Sequence, residues 1–268
     1  MDGKLNRLQA LLPAGLLVDA GWLSDRGYYS SLVAKYVSSG WLEQPTRGAY
    51  RRAGTTLGDG ADDWVGVVLS LQRLRPPPPL LGGRTALEAL GVALPRPPET
   101  ADLHLYGRTP PPLWARRLLG DRLAFHRARL FADDPALGAQ ARPDRDGFHL
   151  RRPDREGAAG QVLVSTAERA FLELLDEVPK SEGFEAVDDL MPGLAMLDPA
   201  RLSALLTGCR SVKVKRLALW FADRHGAPWA AQLERHAIDL GQGNRVLVPG
   251  GRLDKAYRIT VPRALAPV

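Results

Sequence analysis

At 268 residues with 45% hydrophobic side chains, the chain can bury a core and has room for two modest domains, which excludes a disordered polypeptide. A formal charge of +6 permits an anionic partner, but arginine is so abundant overall that the total says less than its distribution. One cysteine, Cys209, excludes an intrachain disulfide and any cysteine-built metal cage.

Charge is segregated along the chain. Residues 1–53 hold 7 basic and 4 acidic side chains and residues 209–268 hold 11 and 4, whereas residues 156–208 hold 3 and 10. Lys4 and Arg7 before an apolar run faintly mimic a signal peptide, but Gln9, Pro13, Gly15 and Asp19 interrupt it, and no stretch approaches a membrane span. Reducing, cytoplasmic surroundings without membrane contact are the expectation.

Leu5, Leu8, Leu11 and Leu12 recur at helical spacing and predict a first helix that Pro13 ends. "VDAGWLSDRGYYSSLVAKYVSSG" reads as two helices about a turn at Gly27. The second starts near Ser30, sets Leu32, Val33, Tyr36 and Val37 on one face and stops at Gly40. Then "GWLEQPTRGAYRR" predicts a hairpin with a cationic tip.

Helix, helix, turn, helix and basic hairpin is the order of a winged helix-turn-helix, here assigned to residues 1–54. With the apolar face of the third helix buried, Tyr29, Ser30, Ser31 and Lys35 are left as DNA-facing residues, and Arg47, Arg51 and Arg52 of the wing as phosphate ligands. Small winged-helix units also serve as protein-docking modules.

After a linker near residues 55–60, residues 61–268 predict a larger mixed α/β domain, so the class is α+β. Asp62 caps a helix containing Trp64, Val65, Val68, Leu69 and Leu71, and Arg75 to Pro79 stop it. "GGRTALEALG" follows, with Thr85 and Glu88 at capping-box spacing. Alternating patterns near residues 102–106, 123–130, 148–150 and 161–164 predict strands. Ser165 and Glu168 suggest a second capping box, and Asp198-Pro199 opens another helix. "SVKVKRLALWFADRHG" is a long helix closed by Gly226, and the last segment reads as two strands about Pro249-Gly250-Gly251. Arg210, Lys213, Lys215 and Arg216 cluster where that long helix begins, as an anion- or partner-binding surface or as a solvated face.

The five histidines show no metal-ligand spacing and are expected at strand or helix-end positions with ordinary hydrogen bonds. No phosphate loop or nucleophile elbow occurs. Adjacent acids such as Asp188-Asp189 read as caps or solvated turns. Neither metal nor cofactor is expected. A nucleic-acid-processing enzyme would rest on Asp254-Lys255, the one faint candidate.

The order of these motifs resembles the AbiEi antitoxins of type IV toxin–antitoxin systems. "KYVSSGWLEQPTRGAYRRAG", "GGRTALEALG", "VSTAERAFLELLDEVP", "CRSVKVKRLALWFADRHGAPW" and "IDLGQGNRVLVPGGRLDKAYRITVP" carry the resemblance in family order. Residues 107–160, rich in proline and arginine, carry none of it. The resemblance implies a non-enzymatic bacterial repressor that binds inverted repeats in the double-stranded DNA upstream of its own operon. It also implies a C-terminal domain that opposes a neighbouring nucleotidyltransferase-like toxin without a stable complex, in defence against phage. Carried over by position, the DNA-binding residues are those just named, and Arg210 to Arg216 belong to the antitoxin domain's basic surface. A stand-alone regulator with no toxin beside it would share every one of these features.

Overall fold

Leucines at helical spacing form α1 (Asp2–Leu11), which buries Leu8 and leads into fully buried Leu12; Pro13 ends the run. This is a computed structural model, and it describes residues 2–56, 64–74, 77–92, 103–131, 150–151 and 162–266. Two residues, Val18–Asp19, make β1, and Asp19 then caps α2 (Ala20–Ser24) by accepting from the Trp22 amide at 2.8 Å. The chain turns through Gly27 into α3 (Ser30–Ser38).

Gly40, at φ +72°, lets the chain leave α3 in the left-handed conformation and enter β2 (Leu42–Thr46). Gly48, at φ +86°, closes the hairpin to β3 (Ala49–Arg52). The three strands form an antiparallel sheet in the order β1-β3-β2. The predicted winged helix-turn-helix is therefore present, with β1 as an addition. A two-residue strand has no period to read, so only its pairing with β3 reveals it.

Next, α4 (Trp64–Leu74) ties the N-terminal unit to the rest of the chain. Ser70 Oγ accepts from the Leu17 amide at 2.7 Å, while the Gln72 amide group bonds both the N–H and the carbonyl of Leu163. The predicted Asp62 cap, the linker beyond Thr56 and the arginine at the start of the proline stop lie outside the described residues.

A five-stranded mixed sheet occupies the middle. Its strands are β4 (Leu80–Leu81), β5 (Leu103–Gly107), β6 (Leu123–Arg127), β7 (Leu150–Arg151) and β8 (Val164–Ser165), in the order β6-β5-β4-β8-β7. The β5–β6 and β4–β8 pairs are parallel and the others antiparallel. Between strands lie α5 (Gly83–Ala89) and α6 (Leu113–Leu119). After them come α7 (Ala167–Glu177), α8 (Phe184–Leu190), α9 (Pro199–Gly208) and α10 (Val212–Arg224). The chain continues to a small hairpin of β9 (Arg252–Asp254) and β10 (Ile259–Val261). One contiguous apolar core runs from Leu8 in α1 to Leu265 near the end.

Local capping differs from the expectations in two places. Gly82, not Ser or Thr, is the N-cap of α5, and Thr85 is buried, its Oγ1 accepting from the His104 amide at 2.7 Å. For α7 the cap is Thr166, which accepts from the Arg169 amide; Ser165 instead donates to Glu173 and Glu168 accepts from the Asp198 amide. In both cases a hydroxyl at capping-box spacing found a tertiary partner, which local spacing cannot foresee. Asp198 does cap α9, with Pro199 in its first turn. The final hairpin also shifts: β9 and β10 pair about residues 255–258, and Arg245 bridges to Ile259 in parallel, so Pro249-Gly250-Gly251 is a loop before the hairpin.

Candidate nucleic-acid interface

α3 offers one apolar and one polar face. Val33 and Tyr36 are buried, while Tyr29, Ser30, Ser31 and Lys35 are exposed, Tyr29 to 60%. No acidic side chain lies on the helix, and its N-cap, Tyr29, gives its first turn no side-chain acceptor. The first amides of α3 are thus presented outward beside two serine hydroxyls, an arrangement suited to an anion.

A shallow groove of about 570 Å³ runs between the start of α1 and this face, lined by Lys4, Tyr29, Ser31 and Lys35 among others. Tyr28 ties α1 to the start of α3 by donating from its hydroxyl to the Lys4 carbonyl at 3.0 Å, and the Lys4 ammonium lies 5.5 Å from the centre of the Tyr29 ring. Lys4 therefore joins the face. Nothing in the sequence marks it, because its place depends on α1 packing beside α3.

On the wing the three arginines differ. Arg47 is exposed at the tip, Arg52 is half-buried at the strand end, and Arg51 pairs with Glu43 across the hairpin, where the register sets them opposite each other. The tip also meets the body of the protein: Arg117 of α6 donates to the Arg47 carbonyl at 3.4 Å, and Arg116 and Arg117 are both exposed. Local patterns carry no signal for a contact between the wing tip and a helix 70 residues away.

The basic cluster at the start of α10 is not the surface expected. Only Arg210 is exposed. Arg216 is 1% exposed, with its guanidinium donating to the carbonyls of Leu240, Gly241, Gly243 and Arg258, and Lys215 is 7% exposed. Lys213 donates to the Val178 carbonyl at 2.8 Å and to that of Asp176, and so covers the last carbonyls of α7. Burial and carbonyl capture consume these cations, so charge spacing alone misjudged the face they occupy. Asp254 is likewise structural, accepting from Trp220 Nε1 and the Tyr257 amide. Cys209 is buried, its thiol pushed up to about 11 by that burial.

Histidines behave less simply than expected. His225 accepts an ordinary end-of-helix role against Asp188, while His149 lies outside the described residues. His104 of β5 and His126 of β6, however, share a hydrogen bond of 3.1 Å, and His126 Nδ1 lies 2.8 Å from Glu177. Burial first, and His126 second, hold His104 below its ordinary value of 6.5. An unfolded chain therefore binds a proton here that the folded chain refuses. The contribution to stability is complete above about pH 6.5 and is lost as pH falls toward the lower folded value. Between pH 7.5 and 5 the urea midpoint should fall, and His104→Asn should flatten that slope. An equal slope in the variant would remove His104 as its source.

An N-terminal winged helix-turn-helix joined to a mixed α/β body, with a polar, cation-bearing third helix, defines a class of transcriptional regulator. A family model described as transcriptional regulator, AbiEi antitoxin, type IV toxin–antitoxin system, matches residues 100–262, and the model of the AbiEi antitoxin N-terminal domain matches residues 1–94. The chain belongs to the AbiEi family of type IV toxin–antitoxin transcriptional regulators. Among solved structures it is similar to the RV2827C protein from Mycobacterium tuberculosis, at 20% identity over 91% of this chain and 85% of that one, with a TM-score of 0.53. No curated protein matches. Among the described residues, no helix is long and apolar enough to cross a membrane.

Proposed function

We propose that this regulator represses its own operon by binding inverted repeats in double-stranded DNA, and that it opposes a nucleotidyltransferase-like toxin without forming a stable complex or catalysing a reaction. The supporting observation is the acid-free outer face of α3, with Tyr29, Ser30, Ser31 and Lys35 exposed beside Lys4. The start of α3 enters the major groove, where hydroxyls and Lys35 meet base edges and phosphates. Arg47 and Arg52 hold the flanking phosphates, Arg117 adds a contact at the wing tip, and Arg51 acts chiefly by bracing the hairpin through Glu43. Of the former basic cluster, Arg210 alone is exposed.

Fluorescence anisotropy on the DNA upstream of the start codon, against scrambled DNA at two salt concentrations, tests the reading. Selective, salt-sensitive binding is expected. Arg47→Ala should weaken binding to both DNAs and lower the slope of log K against log salt by about one. Equal, weak binding to both DNAs would instead make the winged helix a protein-docking module.

A further inference from the structure

Beside the edge strand β6, the end of the five-stranded sheet and α7 enclose a cavity of about 250 Å³. Aromatic surface forms one wall: Tyr106 and His126, opposite each other in the parallel β5–β6 register, line it with their rings stacked at 4.5 Å between centroids, while Phe125, next to His126 in the strand, faces the other side of the sheet. The acids on the α7 side are all engaged. Glu173 binds Arg169, Glu177 binds His126, and Asp176 lies 3.5 Å from the Lys213 ammonium.

Arg127 and Arg129, in contrast, are exposed at the end of β6 and line the same cavity. Among the described residues neither has an ion-pair partner. The lining as a whole balances, Arg127, Arg129 and Arg169 against Glu173, Asp176 and Glu177, and the two cations at the mouth are its exposed charges. A further sign lies deeper. The hydroxyl of Tyr106, 6% exposed, and Nε2 of His104, 4% exposed, have no hydrogen-bond partner among the described residues. Buried polar atoms are nearly always paired, and of these two the Tyr106 hydroxyl belongs to a residue that lines the cavity.

We propose that this cavity binds a nucleotide, its base on the Tyr106–His126 rings and its phosphate at Arg127 and Arg129. Each part of that ligand answers a part of the site. A flat base stacks on aromatic rings, whereas a phosphate matches the guanidinium fork. An uncharged aromatic molecule would leave the two arginines unanswered, and a sugar phosphate would leave the rings unanswered. The space admits one base and its sugar but not a duplex, so the site is independent of DNA binding by α3.

A free nucleotide and the 5′ end of a strand present the same chemistry. Titration calorimetry on the full chain should use the four 5′-ribonucleoside monophosphates, adenosine, inorganic phosphate and a 5′-phosphorylated trinucleotide. At least one monophosphate should bind, with its nucleoside and inorganic phosphate each at least tenfold weaker. Arg127→Ala with Arg129→Ala should weaken it at least tenfold while leaving the melting temperature and operator binding in the same preparation unchanged. Binding of the trinucleotide at equal or greater strength assigns the site to strand ends; its exclusion assigns the site to free nucleotides. The proposal is overturned if no monophosphate binds, if inorganic phosphate binds as tightly, or if the double substitution changes nothing. Because operator binding is read separately, none of these results bears on the repressor reading.

Discussion

Glu182→Gln should lower unfolding free energy by about 3–5 kcal/mol, the largest single effect expected in the C-terminal domain. Arg84 in α5 donates from Nε to one Glu182 oxygen at 2.7 Å and from Nη2 to the other at 2.5 Å, and both side chains are about 2% exposed. That fork, above all, raises the Arg84 pKa, so the guanidinium stays charged. Glutamine keeps the shape but removes the charge, and a buried cation is left with a neutral neighbour. The cost is that of a buried charge whose closest counter-charge is gone, which exceeds the net worth of the pair itself.

A second variant separates those two quantities. Replacing both partners, Arg84→Met with Glu182→Leu, removes the fork and the desolvation of both ions together, and should recover most of the stability lost by Glu182→Gln alone. Urea unfolding of the three proteins at one pH measures it. A Glu182→Gln loss under about 1 kcal/mol would show that water reaches the pair, and a double variant worse than either single one would show that the pair stabilises on balance.

Why the sequence disclosed some of this and concealed the rest follows from the range of the interactions involved. Helix periodicity, Gly40 and Gly48 act within a few residues, so the winged helix-turn-helix was legible, as were α9 from Asp198-Pro199 and α10 from Ser211 to Gly226. The outward residues of α3 were legible for the same reason, since burying one face of a helix exposes the other. Features set by contacts across long sequence separations were not. Thr85 and Ser165 look like caps until β5 and α7 supply them with partners. The pairing of Arg84 with Glu182 spans 98 residues, and that of His104 with His126 needs the parallel β5–β6 register. Most telling is the start of α10. Four cations in seven residues look like a surface, yet whether a cation is solvated depends on which carbonyls the rest of the fold brings to it.

Arg216 shows that dependence best, and its removal is the other large effect expected. Its guanidinium donates from Nε to the Leu240 carbonyl at 2.8 Å, from Nη1 to Gly243 at 2.7 Å and Arg258 at 3.1 Å, and from Nη2 to Gly241 at 3.2 Å. One side chain on α10 thereby holds the loop that precedes β9 and the turn between β9 and β10. Arg258 in that turn sits at φ +54°, a left-handed conformation that a non-glycine residue adopts only when its surroundings impose it. Burial, with Arg245 and Arg258 close by, pushes the Arg216 pKa down, so the charge is kept by carbonyl dipoles and not by an acid. Arg216→Met preserves much of the apolar stem but leaves four carbonyls without their donor. At about 1–3 kcal/mol for each orphaned buried group, and less where water replaces the guanidinium along this partly exposed loop, the expected loss is about 3 kcal/mol or more. Arg216→Lys should recover only part of it, because an ammonium cannot span the fork. The loss should also be local first: amides of residues 240–261 should exchange faster by hydrogen-exchange mass spectrometry while those of α3 and the wing keep their protection, and operator binding should persist. Uniform loss of protection across both domains would mean that Arg216 supports the whole fold, and unchanged protection at 240–261 would mean that the loop is held by β9–β10 pairing alone.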